Sequence, residues 1–326
     1  MMNKEAIFQI TTDAAFKQLS LHIFHEQART CRVYADYLSA LNFDTSQVKE
    51  LTDIPFLPIE FFKSHSVIKT GEQAQIIFSS SGTTGMQPSK HYVSDASLYE
   101  TSFRKAFHHF YGDLQDTAIL ALLPSYLERS GSSLIYMVDD LIKTSGRPES
   151  GYFLYNHEEL YNSLRSLQSQ NTRTILFGVT YALLDFIETY SLDFPELIIM
   201  ETGGMKGKRK EMIREELHQN LCKGFGVPAI HAEYGMTELL SQAYSKGKGL
   251  FECPVWMKVL IRDLNDPFSY QSENNTGGIN IIDLANINSC SFISTQDLGR
   301  QNGQEQFEVL GRFDQSDIRG CNLLVQ

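Results

Sequence analysis

Four familiar signatures are missing from this 326-residue sequence, and each omission removes a class of function. The five cysteines, Cys31, Cys222, Cys253, Cys290 and Cys321, form no Cys-x-x-Cys pair and are odd in number, which argues against a disulfide framework or a zinc ribbon and for a reducing compartment. No apolar run approaches eighteen residues and no basic segment leads into an apolar core near Met1, so the expectation is a cytoplasmic protein with no membrane span. Basic residues are outnumbered 28 to 39, and the net charge of −11 repels nucleic acid and anionic membranes. The densest basic run, Lys206-Gly-Lys-Arg-Lys210, reads equally well as the solvated first turns of a helix or as a phosphate-facing patch. Finally, no Gly-x-x-x-x-Gly-Lys-Ser/Thr occurs, which excludes the common nucleotide P-loop.

What is present is a hydroxyl-rich loop. Phe78-Ser-Ser-Ser-Gly-Thr-Thr-Gly-Met-Gln-Pro-Ser-Lys90 follows the apolar residues Ile76 and Ile77, which read as a strand feeding it. Gly82 and Gly85 permit positive φ and bring N–H groups close to an anion, while Ser80, Ser81, Thr83 and Thr84 add uncharged donors. With Lys90 at the far end, the stretch is suited to phosphate, although a flexible surface loop has the same composition.

The remaining chain is long enough for two or more packed subdomains, and its 42% apolar content can fill them. Apolar spacing predicts helix from Asp13 to Leu41, interrupted near Thr30. Beyond the loop, apolar runs alternate with amphipathic ones. Helices are expected from a Ser94 cap to His109, over Ser132–Ile142, from an Asn156 cap to Leu167, over Tyr181–Tyr190 and over Lys208–Leu221. Strands are expected at Ala118–Leu123, Thr174–Phe177, Leu197–Met200 and Ala229–Ala232. Such alternation implies parallel βαβ units, whose ligands gather at the carboxyl ends of the strands, where Glu201-Thr-Gly-Gly204 and Glu233-Tyr-Gly-Met-Thr-Glu238 fall. His231, just ahead of the second loop, reads as a core histidine or as a phosphate contact. Past Leu239 the pattern becomes strand-like, at Val255–Ile261, Gly278–Asp283, Ser291–Ser294 and Gln306–Leu310, with Glu273-Asn-Asn-Thr-Gly-Gly278 as a turn signal. The expected organisation is an α/β part over 1–238, a β-rich subdomain over 239–310 and a hinge-like tail over 311–326.

In order, the loops read Ser79-Ser-Ser-Gly-Thr-Thr-Gly85, Tyr234-Gly-Met-Thr-Glu238, Ser294-Thr-Gln-Asp-Leu-Gly-Arg300 and Gly311-Arg-Phe-Asp-Gln-Ser-Asp-Ile-Arg-Gly320. This ordered set resembles the adenylate-forming superfamily. The resemblance implies the α/β fold of that superfamily's large N-terminal domain and a site for ATP and Mg²⁺. It assigns the first loop (Ser80, Ser81, Gly82, Thr83, Thr84, Gly85) and Thr237 to phosphate, Glu238 to the metal, Asp297 and Arg312 to the ribose, Tyr234 and Gly235 to the nucleotide loop, and Gly203 and Gly204 to the adenine. The usual Gly-x-Pro-Lys becomes Gly85-Met-Gln-Pro-Ser-Lys90 here, which shifts Lys90. The chain stops six residues beyond Gly320, so the usual small lysine-bearing C-terminal domain is expected to be lacking.

Leu122-Leu-Pro-Ser-Tyr-Leu-Glu-Arg-Ser-Gly-Ser-Ser-Leu134, Glu201-Thr-Gly-Gly-Met-Lys206 and the terminal Ile318-Arg-Gly-Cys-Asn-Leu323 make the chain similar to the acyl-protein synthetase family of bacterial luminescence. That family activates a fatty acid as acyl-AMP, moves the acyl group to a cysteine near its own C-terminus and passes it to a fatty acyl reductase. Cys321 fits the position of that cysteine, and Arg319 beside it favours the thiolate. The alternatives are an acyl- or aryl-CoA ligase of the phenylacetate type and a catalytically silent adenylate-binding protein.

Overall fold

The computed structural model describes residues 4–80, 87–124, 130–203 and 212–313. The expected first helix is two: α1 (Asp13–Thr30), capped by Thr12 Oγ1 accepting the Ala15 N–H at 3.2 Å, and α2 (Arg32–Ala40), separated by the extended, buried Cys31. There follow β1 (Leu57–Pro58), the short helix α3 (Phe61–Ser64), β2 (Ile76–Ser79), β3 (Lys90–Val93) and α4 (Ala96–Tyr111). Asp95, not Ser94, caps α4, its carboxylate accepting the Ser97 N–H at 3.0 Å. Strands and helices then alternate: β4 (Ala118–Leu122), α5 (Ser133–Ser145), β5 (Gly151–Phe153), α6 (His157–Ser169), β6 (Thr174–Val179), α7 (Thr180–Thr189), β7 (Ile198–Thr202), α8 (Arg214–Phe225) and β8 (His231–Tyr234). The remainder is β9 (Ala243–Ser245), β10 (Leu250–Glu252), β11 (Met257–Arg262), β12 (Gly277–Asp283), β13 (Phe292–Gln301) and β14 (Phe307–Arg312).

Contacts divide the chain into two units that do not coincide with the expected boundaries. One comprises residues 1–102, 238–241 and 252–326, and the other residues 103–237 and 242–251. Most of the β-rich region, residues 252–310, therefore shares a unit with the N-terminal helices, because the packing partners of α1 and α2 lie some 250 positions downstream. Gln27 of α1 donates to the Asn286 carbonyl at 2.9 Å and accepts the Ser291 N–H at 2.9 Å, while Phe24 and Tyr34 pack on Phe292 of β13 at ring separations of 6.1 and 6.3 Å. In this unit β11, β12, β13 and β14 form an antiparallel meander, β1 pairs in parallel with β13, and β2 and β3 form a separate hairpin.

The other unit carries a parallel sheet in the order β8-β7-β6-β4-β5, with β9 antiparallel at the β8 side. Every residue of β4 and β6 is buried, as a strand covered by helices on both faces requires. The right-handed crossover rule applied to this strand order places α6, α7 and α8 on one face, where Phe186 and Phe225 stack at 5.4 Å, and α5 on the other. Because β5 and β6 flank β4 on opposite sides, the strand order reverses at the carboxyl ends of β4 and β6, the place where ligands bind in open α/β sheets.

Candidate functional site

In the first unit, residues from all four sequence segments are linked. Ser80 and Ser89 close the base of the hydroxyl loop: the Ser80 N–H donates to the Ser89 carbonyl at 3.0 Å, and the Ser89 N–H donates to Ser80 Oγ at 2.9 Å. The Ser89 hydroxyl in turn hydrogen-bonds the Glu238 carboxylate. Burial pushes the Glu238 carboxyl above its ordinary range; the Ser89 bond, its own N–H and the charge of Arg312 oppose this, and the nearby charge of Asp297 adds to it. Asp297 and Arg312 face each other across β13 and β14, with Arg312 Nε donating to Asp297 Oδ1 at 3.2 Å. The Asp297 side chain is 8% exposed and that of Arg312 78%, so the pair runs from the interior to the surface. The Asp297 N–H donates to Thr295 Oγ1 at 3.1 Å, which fixes the backbone from which the carboxylate projects.

Two glycines that read as a turn signal have a different reason. Gly277 and Gly278 lie in β12, where a Cβ would sit 2.2 Å from the Arg262 carbonyl oxygen and 2.3 Å from the Arg262 guanidinium carbon, respectively. The space they leave admits a mostly buried guanidinium, which donates to the Ile279 carbonyl at 3.0 Å and the Thr295 carbonyl at 2.8 Å and lies 5.3 Å from the Phe313 ring.

The second unit has its own polar cluster, at the carboxyl edge of the parallel sheet. Glu201, at the end of β7, accepts the Thr180 hydroxyl at 2.6 Å and pairs with His218 Nε2 of α8 at 3.0 Å. Thr202 beside it donates to Glu233 of β8 at 2.6 Å, and burial pushes the Glu233 carboxyl up to about 7 against that bond. Gly203 follows with φ +71°, and its carbonyl accepts the Thr180 hydroxyl at 3.1 Å. Tyr234 is buried, its ring 5.9 Å from Phe251, and a Cβ at Gly235 would meet Glu233 Oε1 at 2.2 Å, so a side chain there would displace the Glu233 carboxylate. Thr237 lies in this unit, half-buried and one peptide bond from Glu238.

Of the other expected site residues, Lys90 is exposed and opens β3 opposite Ser79. Ser81, Gly82, Thr83, Thr84, Gly85, Gly204 and Cys321 lie outside the described residues. His231 is half-buried: it begins β8, bonds the Tyr111 hydroxyl through Nδ1 at 3.2 Å, and is pushed down to about 4 by burial and then by the charge of Lys246. Sequence reasoning missed Ser89, Thr180 and His218, and named Glu201 and Glu233 only as members of the loops at the strand ends. Glu201 and Glu233 had a usable signal, a carboxylate ending an apolar run; the others are visible only once strands from distant parts of the chain are adjacent.

Among the described residues no group of three or more His, Cys, Asp or Glu is placed to hold a metal, and no helix is long and apolar enough to cross a membrane.

No protein-family model and no curated protein matches the chain. Solved structures do. An open conformation of 2-hydroxyisobutyryl-CoA ligase in complex with 2-HIB-AMP and CoA superposes with a TM-score of 0.65 at 11% identity, over 93% of this chain and 75% of that one. A long-chain-fatty-acid-CoA ligase of Archaeoglobus fulgidus gives 0.54 at 15% identity, over 79% and 55%, and ATP-bound MatB of Rhodopseudomonas palustris gives 0.52 at 15%, over 72% and 47%. The chain thus spans about half the length of the ATP-bound proteins it resembles. At these identities the likeness is one of fold, the mixed α/β architecture described above.

Proposed function

We propose that the chain is an ATP-dependent ligase that activates a carboxylic acid, a fatty acid in the reading its sequence favours, as acyl-AMP with release of pyrophosphate, and then transfers the acyl group to a protein thiol with release of AMP. The observation that carries this reading is the meeting of Ser89, Glu238, Asp297 and Arg312 in one unit. Asp297 and Arg312 suit a ribose: a fixed, nearly buried acceptor matches vicinal hydroxyls, and the guanidinium beside it reaches solvent. Ser89 ties the base of the hydroxyl loop to Glu238, so donors for phosphate oxygens and the carboxylate are held together.

The residues also fit a magnesium ion. Glu238 is buried and feels the like charge of Asp297, and a divalent cation relieves both penalties. Magnesium is commonly held by one or two carboxylates together with substrate phosphates and water, a role one buried carboxylate can fill. When bound, it would neutralise charge developing on the phosphate oxygens.

The proposed acyl acceptor within the chain is Cys321. Burial raises the thiols of Cys31, Cys222, Cys253 and Cys290 above their ordinary range, which leaves the four described cysteines poor nucleophiles. A fatty acyl reductase or another acyl-accepting protein would be the onward partner, in the cytoplasm. A second reading, transfer to coenzyme A, is favoured by the solved neighbours, one of which holds CoA. Incubation with ATP, Mg²⁺ and labelled fatty acid separates the two. Hydroxylamine-labile label on the protein that disappears in Cys321→Ser supports acyl-protein synthesis. Label retained by that variant rejects Cys321, and acyl-CoA formed without protein label favours the second reading.

A further inference from the structure

Glu238 lies on neither a helix nor a strand, in the segment between β8 and β9, so no ladder of main-chain bonds determines where its carboxylate points. The segment is held instead by the turn that ends β12. Asp283 Oδ2 accepts the N–H groups of Leu240 at 2.8 Å and Ser241 at 3.0 Å, and Oδ1 accepts the Ser241 hydroxyl at 2.6 Å and the Ala285 N–H at 3.1 Å. Asn286 Nδ2 donates to the carbonyl of Glu238 itself at 2.9 Å. Three of the residues from 238 to 241 are therefore anchored to one turn.

The turn is itself immobilised. Asp283 N–H donates to the Ser291 carbonyl at 2.8 Å, Leu284 N–H to the Trp256 carbonyl at 3.0 Å, and Gln27 of α1 to the Asn286 carbonyl at 2.9 Å. Ser241 Oγ also receives the Trp256 indole N–H at 3.0 Å. Asp283, Asn286 and Ser241 have no solvent exposure.

Stability alone does not explain these groups. A fully buried carboxylate is costly even when hydrogen-bonded, and a buried amide that uses only one of its ends loses more solvation than it recovers. Asn286 is such a case, since its Oδ1 has no hydrogen-bond partner among the described residues. The single bond it does make is to the residue carrying the proposed metal carboxylate.

We infer that Asn286 and Asp283 are positioning residues that hold the Glu238 carboxylate in the orientation needed to bind the metal of Mg·ATP. The inference rests on the ligase reading above, and it separates two quantities that a purely structural role would leave together. Loss of the Asn286 bond loosens Glu238 but not the residues that hold the nucleotide, so affinity for the metal falls while affinity for metal-free ATP stays.

The test is calorimetric titration of ATP into the full chain over a series of Mg²⁺ concentrations, for wild type and Asn286→Leu, which keeps the side-chain volume and removes the donor. The expected result is about a tenfold rise in the Mg²⁺ concentration giving half-maximal enhancement, with affinity for metal-free ATP within twofold of wild type. Asp283→Asn, which keeps one acceptor oxygen, should shift the same midpoint in the same direction. A folded Asn286→Leu protein whose midpoint stays within twofold of wild type overturns the inference alone. Wild-type protein that binds ATP no better with Mg²⁺ than without overturns the ligase reading, and the inference with it. Should Asn286→Leu fail to fold, Asn286→Ala carries the same comparison.

Discussion

The two units orient their carboxylates by different means. In the unit with the parallel sheet, Glu201 and Glu233 stand at the ends of neighbouring strands and are steadied by Thr180 and Thr202, groups that the strand order itself brings alongside. In the unit with the antiparallel meander, Glu238 and Asp297 are placed by residues from the hydroxyl loop, β12, β13 and β14. In the first case topology alone makes the polar edge. In the second the site exists only when several distant segments are correctly paired, so it is more sensitive to single changes.

The largest expected effect falls on Glu238. Glu238→Gln should lower acid-dependent ATP–pyrophosphate exchange by about 10²–10³-fold, in the range for removing one preorganised electrostatic group. Its melting temperature should equal or exceed that of wild type, because the substitution removes a charge that burial penalises. A loss of activity accompanied by a large loss of stability would instead make Glu238 a structural residue.

Next comes the ribose pair. Asp297→Asn should raise the KM for ATP about 10–100-fold, equivalent to losing charge-assisted hydrogen bonds of about 1.5–3 kcal/mol, with kcat changed only a few-fold. Steady-state kinetics at saturating acid checks the split, and a fall in kcat at unchanged KM would remove Asp297 from nucleotide binding.

Stability sharpens the contrast between the units. Gly277→Ala should cost about 1–3 kcal/mol in urea denaturation, because its Cβ meets a backbone oxygen that cannot move alone. Gly146, the left-handed cap of α5 at φ +63°, has open space around it, so Gly146→Ala should cost only about 1–2 kcal/mol from backbone strain.

The smallest effect is in pH dependence. The Glu233 carboxyl is raised from 4.5 to about 7 in the folded state, so between these values the folded chain holds a proton that the unfolded chain has released. Stability from this group is thus full below the unfolded value, falls as pH rises through the window, and stays reduced above it. Glu233→Gln should melt about 2–4 °C higher than wild type at pH 8 and equal to it near pH 4.5 by scanning calorimetry. Parallel melting curves across that range would contradict the assignment.

Much of the parallel unit is legible in the sequence, since continuous apolar runs at Ala118–Leu122 and Thr174–Val179 mark strands covered on both faces. Boundaries are less so. The helix expected from Lys208 is described from Arg214, and the strand expected at Ala229–Ala232 runs from His231 to Tyr234, because the polar Glu233 interrupts the apolar signal. The short strands β5, β9 and β10, at three residues each, leave no periodicity to count. Glu238, Asp297 and Arg312 could be named from ordered motifs, whereas Asp283 could not. It reads as the polar end of a strand, and its bonds to Leu240 and Ser241 span more than forty residues of sequence.

The most direct test of the account is a calorimetric titration of ATP, with and without Mg²⁺, into wild type and Glu238→Gln. Saturable one-to-one binding to wild type that Mg²⁺ tightens is expected, with loss of the Mg²⁺ enhancement in the variant. No binding to wild type, or an identical response to Mg²⁺ in both proteins, would contradict it.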